Sequence, residues 1–101
     1  MQALYPVIIK QSAPEPAFPN GVFEVEVPDL DIATFGLTLL ECYNNAEDAI
    51  NLALSSYQTD RVPAPKASDI RTIKAEPGTI VTLVKANTRV YKRKYRKIFK
   101  K

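Results

Sequence analysis

Hydrophobic and charged positions alternate along Val22-Phe-Glu-Val-Glu-Val27. Phe23, Val25 and Val27 fall on one side, Glu24 and Glu26 on the other. A period of two with one charged side marks a half-buried antiparallel strand. Pro28 ends it. Upstream, Tyr5-Pro-Val-Ile-Ile9 reads as a short strand. Pro6 lacks an amide donor, so this strand is expected at a sheet edge, or with Pro6 at its start. Between the two lie Pro14, Pro16, Pro19 and Asn20-Gly21, the turn residues of a hairpin loop. Residues 29–32 read as a turn and Ala33-Thr-Phe35 as a short third strand, broken by Gly36.

Thr38-Leu-Leu-Glu41 matches a capping box, in which the Thr38 hydroxyl accepts from the amide of Glu41 and the Glu41 carboxylate reaches back to the amide of Thr38. Leu37 and Cys42 occupy the flanking staple positions. Beyond them Leu39, Cys42, Tyr43, Ala46, Ala49, Ile50, Ala53 and Tyr57 recur in steps of three and four, while Asn44, Asn45, Glu47, Asp48 and Asn51 take the opposite side. That spacing predicts an amphipathic helix over 39–57. Residues 58–78, with Pro63, Pro65 and Pro77, form a long connection in which Ser68-Asp69 can start one short helical turn. A connection of that length often carries function or packs as an irregular cover. Residues 79–91 read as a long strand, with Ile80, Thr82, Val84, Ala86, Thr88 and Val90 on one face and Lys85, Asn87, Arg89 and Tyr91 on the other. The order β-β-β-α-β, with three or four antiparallel strands and one main helix on one face, predicts a two-layer α+β domain. Residues 1–91 make up that domain and 92–101 a basic tail.

Charge divides the chain. Of 14 basic residues, nine fall between Lys85 and Lys101 with no acid among them; the other five share residues 1–84 with all 11 acids, a net charge of −6. The acidic body and the basic tail suit different partners. At 101 residues the chain accommodates one domain. Its single cysteine, Cys42, allows no internal disulfide and fits a reducing compartment. No apolar run approaches the ~20 residues of a membrane span. A cytoplasmic protein is expected.

The catalytic inventory is poor. Histidine is absent, which removes the commonest general base and metal ligand. One cysteine cannot build a zinc site, and Cys42 falls on the apolar side of the helix as a small core residue. The three glycines are isolated and form no phosphate loop. Asp29 and Asp31 could share a divalent ion, but turn aspartates more often accept backbone amides. Glu24 and Glu26 serve solubility in the plain interpretation and dock a basic partner in the functional one.

Four segments together carry a family resemblance: Tyr5-Pro-Val-Ile-Ile9; Phe23-Glu-Val-Glu-Val-Pro-Asp-Leu30; Phe35-Gly-Leu-Thr-Leu-Leu-Glu41 with Asn45-Ala-Glu-Asp-Ala-Ile50; and Pro63-Ala-Pro65. In order and spacing they resemble HicB-type antitoxins across residues 5–95. The resemblance implies a partial RNase-H-like fold that has lost nuclease chemistry. It also implies a partner, a basic mRNA interferase toxin of the HicA type whose active site the antitoxin covers, and assembly into dimers or higher oligomers. No cofactor, metal or catalytic residue is implied. Glu24, Glu26, Asp29 and Asp31 become the candidate toxin-binding residues. Many members carry a C-terminal DNA-binding module; after Tyr95 only residues 96–101 remain, short of the roughly 20 such a module needs. The alternative function is nucleic-acid binding by the tail. There Lys92, Arg93, Lys94, Arg96 and Lys97, with Tyr91, Tyr95 and Phe99 interleaved, suit phosphate contact and base stacking.

Overall fold

The computed structural model describes residues 2–91. Strands β1 (Gln2–Gln11), β2 (Phe23–Val27), β3 (Ile32–Gly36) and β4 (Ile80–Asn87) form one antiparallel sheet in the order β3-β2-β1-β4. Helix α1 (Leu39–Asp60) packs against one face of it. The architecture is therefore the α+β arrangement expected, with the elements in the order β-β-β-α-β.

Strand alternation decides which face is buried. Tyr5, Val7 and Ile9 of β1, Val25 and Val27 of β2, and Val84 and Ala86 of β4 point to the helix. They meet Cys42, Ala46, Ile50 and Leu54 of α1 in one core. The stripe 42-46-50-54 advances by fours, so the helix presents one narrow line to the sheet. Gly36 lets the end of β3 touch the start of α1: a Cβ there would lie 2.8 Å from the Cys42 amide nitrogen and 2.9 Å from its Sγ.

The long connection packs as a cover. The Tyr5 hydroxyl donates to the Pro65 carbonyl at 2.6 Å, and Ala64 and Ala67 rest against the core. A single short turn, Ile70–Thr72, is capped by Asp69, whose carboxylate accepts from the Arg71 amide. Among the described residues no helix is long and apolar enough to cross a membrane.

Several local expectations need correction. β1 is an inner strand, and Pro6 sits in its middle opposite Leu83. The proline is tolerated because β2 pairs with β1 only from Ile8 onward. At Pro6 that flank has no ladder to serve. The Thr38 hydroxyl accepts from the Glu41 amide at 3.1 Å as expected, but Glu41 Oε1 accepts from Leu37 at 3.4 Å, one residue before Thr38. The helix runs to Asp60 and is closed by Arg61 in the left-handed region, its amide donating to Gln58 and that of Val62 to Tyr57. Asn51, assigned to the polar side, is buried; its Nδ2 donates to the Glu47 carbonyl one turn earlier. The final strand stops at Asn87 rather than continuing to residue 91. Asn87 Oδ1 accepts from the amides of Arg89 and Val90, and the backbone coils into a helical turn at 88–91. An asparagine at this place caps a helix better than it extends a strand.

Candidate functional site

The face of the sheet turned away from α1 collects two cross-strand rows. Ile8, Glu26 and Ala33 form one; Lys10, Glu24 and Phe35 form the other. Such neighbours lie about 5 Å apart between Cβ atoms. Together they line a shallow groove of about 590 Å³ whose rim includes Asp31. Three of the four acids singled out in the sequence, Glu24, Glu26 and Asp31, thus meet at one place. Lys10 lies across from Glu24, yet its Nζ is 3.3 Å from Glu76 Oε2. That ion pair is exposed and contributes at most about 1 kcal/mol. Asp31 stands at the start of β3 in the left-handed region, φ 51°, with its amide bonded to the Pro28 carbonyl. Aspartate tolerates that conformation better than most residues, so the tight turn Pro28–Leu30 delivers its carboxylate to the groove.

Asp29 is placed elsewhere. One carboxylate oxygen accepts from the Ser68 amide at 2.8 Å and the other from the Ser68 hydroxyl at 2.6 Å. It therefore anchors the long connection beside the end of β2 and does not line the groove. Its negative charge, after burial itself, helps hold the Tyr5 hydroxyl above the ordinary tyrosine range, so Tyr5 remains a neutral donor to Pro65. Lys92, Arg93, Lys94, Arg96 and Lys97 lie outside the described residues.

Cys42 is buried, and burial followed by the nearby Glu41 carboxylate pushes its thiol up, away from nucleophilic or ligating character. A second groove, between α1 and the end of β4, is lined by Asn44, Asn45, Glu47, Asp48, Asn51, Lys85, Asn87, Val90 and Tyr91. Its polar lining combines four asparagines with the acids Glu47 and Asp48 and the cation of Lys85. Among the described residues no three histidine, cysteine or carboxylate side chains gather in a metal-binding cluster.

Leu39 and Tyr43, expected on the apolar side of the helix, remain exposed, as do Phe35, Leu37 and Leu40. One signal was available: Leu39 and Leu40 are adjacent on a helix, about 100° apart, so a narrow buried stripe cannot take both.

No family model matches the chain, and no curated protein matches it by sequence. Among solved structures, the chain resembles a chain of a toxin–antitoxin complex from Streptococcus pneumoniae. The TM-score is 0.71 at 14% identity, and the match covers 90% of this chain and 73% of the other. A similarity at that identity establishes a shared fold.

Proposed function

We propose that this protein is the non-enzymatic antitoxin of a toxin–antitoxin pair, of the HicB type, and that it docks a basic HicA-type mRNA interferase on the open face of its sheet. The observation that carries this reading is the convergence of Glu24, Glu26 and Asp31 in one groove beside the exposed ring of Phe35. The fold shared with a chain of a solved toxin–antitoxin complex supports it. So does the net charge of −6 over residues 1–84. A protein built to hold RNA presents cations to phosphates, and an acidic groove competes for those same cations. Occlusion requires no chemistry from the antitoxin, in keeping with a chain that has no histidine and whose one cysteine is buried.

Residues 1–91 carry this role. The segment 92–101, with seven basic residues in ten, is assigned a separable one, salt-sensitive contact with nucleic acid phosphates. Assembly of the acidic domain into a homo-oligomer belongs to the same proposal.

Co-expression tests it. A small basic protein is expected in a neighbouring reading frame; it should arrest growth alone, and this chain should restore growth while RNA cleavage stops. Continued arrest with both proteins present at equal levels contradicts the proposal. So does divalent-metal-dependent nuclease activity of this chain that is lost in Asp31→Asn.

A further inference from the structure

We infer that Leu4 and Ile8 of β1 and Val81 and Leu83 of β4 form an apolar strip on the open face of the sheet, that this strip takes an apolar side chain of the basic partner, and that the contact sets the lifetime of the complex. The inference rests on the docking reading above and adds an anchor that the acidic residues do not provide.

Strand register places the strip. Tyr5, Val7 and Ile9 turn towards the helix, so Leu4 and Ile8 turn away from it. Val84 and Ala86 point inward in the same way and send Leu83 and Val81 to the open face. Ile8 pairs with Val81, and Pro6, between Leu4 and Ile8 on that face, pairs with Leu83. The strip runs directly into the acidic groove. Val81, Ile8, Glu26 and Ala33 stand in one row across β4, β1, β2 and β3, and Ile8 itself lines the groove with Glu24, Glu26 and Asp31. With strands about 4.8 Å apart, Val81 and Glu26 are separated by about 10 Å. Leu4 is 51% exposed and Leu83 37%, while Ile8 and Val81 are half-buried.

Size and charge identify the occupant. Two strands and four residue steps span about 10 by 14 Å, far below the roughly 800 Å² per partner of a stable interface. An occupant held on the strip must also cover its neighbours, and beyond Ile8 these are Glu24, Glu26 and Asp31. Lys10 is engaged by Glu76, which leaves Lys85, across from Leu4, as the offsetting cation among the described residues of this face. A second copy meeting the face isologously would therefore bring three carboxylates from each side into one contact against one lysine from each. Nucleic acid would set its phosphates against the same carboxylates. A protein that carries an apolar side chain and, about 10 Å away, a lysine or arginine satisfies both halves of the face. In such interfaces a few buried apolar residues govern dissociation, and rim charges govern encounter.

The test measures association and dissociation rates of the basic protein that passes the co-expression test above. It is bound to wild-type chain, to Leu4→Thr/Leu83→Thr, to Leu4→Thr alone and to Leu52→Thr, an equally exposed leucine on α1. Threonine keeps the strand preference of both β positions, and thermal unfolding checks that each variant folds; Leu4→Thr alone carries the test where the double variant does not. The double variant should dissociate roughly tenfold faster or more and Leu4→Thr about threefold faster, each with its association rate changed by less than about threefold. Leu52→Thr should match wild type. Dissociation from the strip variants at the wild-type rate overturns the inference and leaves the docking reading standing. Sedimentation showing a wild-type dimer that the strip variants disperse also overturns it, because a second copy then covers the strip. If no neighbouring basic protein is neutralised and bound, the docking reading fails and the inference falls with it.

Discussion

Replacing Ile50 with alanine is expected to cost about 2–5 kcal/mol of folding free energy, the range for deleting a large buried aliphatic side chain. Ile50 has no exposed surface and stands in the middle of the 42-46-50-54 stripe, where α1 meets all three inward-facing strand sets. The loss combines apolar burial with a cavity that the surrounding strands cannot fill by small movements. A domain of this size has about 5–15 kcal/mol in total, and 1 kcal/mol corresponds to roughly 4–8 °C in Tm. The midpoint should therefore fall by about 10 °C or more. Leu52, two residues along and 57% exposed, provides the contrast. Leu52→Ala should stay within about 0.5 kcal/mol. Thermal unfolding of both variants checks the register of α1. Equal losses would mean that the helix is rotated from the position described.

Much of this fold was legible because local and tertiary demands agree. In β2 the alternation of Phe23-Glu-Val-Glu-Val27 specifies one face without help from other strands. At Thr38 the capping hydroxyl specifies a helix start, and the structure places it there. Failures occur where a side chain answers to a distant group. Pro6 is compatible with an inner strand only because β2 stops pairing at Ile8, which depends on how far the hairpin extends. Asp29 accepts a backbone amide, as turn aspartates commonly do, but the amide belongs to Ser68, 39 residues away. Asn51 is buried although its residue type and side of the helix suggested otherwise. β4 formally keeps its alternation through Val90, and the Asn87 cap ends it first. The acids at Glu24 and Glu26 were recognisable from alternation alone. Their meeting with Asp31 and Phe35 needed the β1–β2–β3 register.

Reversing Glu24 and Glu26 to lysine together is expected to slow association with the basic partner about tenfold or more at low salt, with the dissociation rate much less affected. The change moves four units of charge on one exposed face. Screening shortens the reach of those charges from about 30 Å at 0.01 M salt to about 3 Å at 1 M, so the difference from wild type should shrink steadily as salt rises. Folding is only lightly affected. Glu24 faces Lys10 across the strands, and a like-charge pair there costs roughly 0.2–1 kcal/mol. Glu24→Gln/Glu26→Gln avoids that repulsion and should give about half the kinetic effect, because it removes two charges without adding two. Stopped-flow association across a salt series measures both. Rates equal to wild type at every salt concentration would remove these glutamates from the encounter surface.

The open face of the sheet, not the helix face or the α1–β4 groove, is the surface proposed to receive the partner. Backbone and side-chain chemical-shift mapping of isotope-labelled protein, with the unlabelled basic partner added in steps, tests it most directly. Perturbations are expected to centre on Ile8, Glu24, Glu26, Ala33 and Phe35, with Asn44, Asp48 and Asn51 little changed. A perturbed set confined to Asn44, Asp48, Asn51 and Asn87, with the β1–β2–β3 rows unmoved, would contradict it.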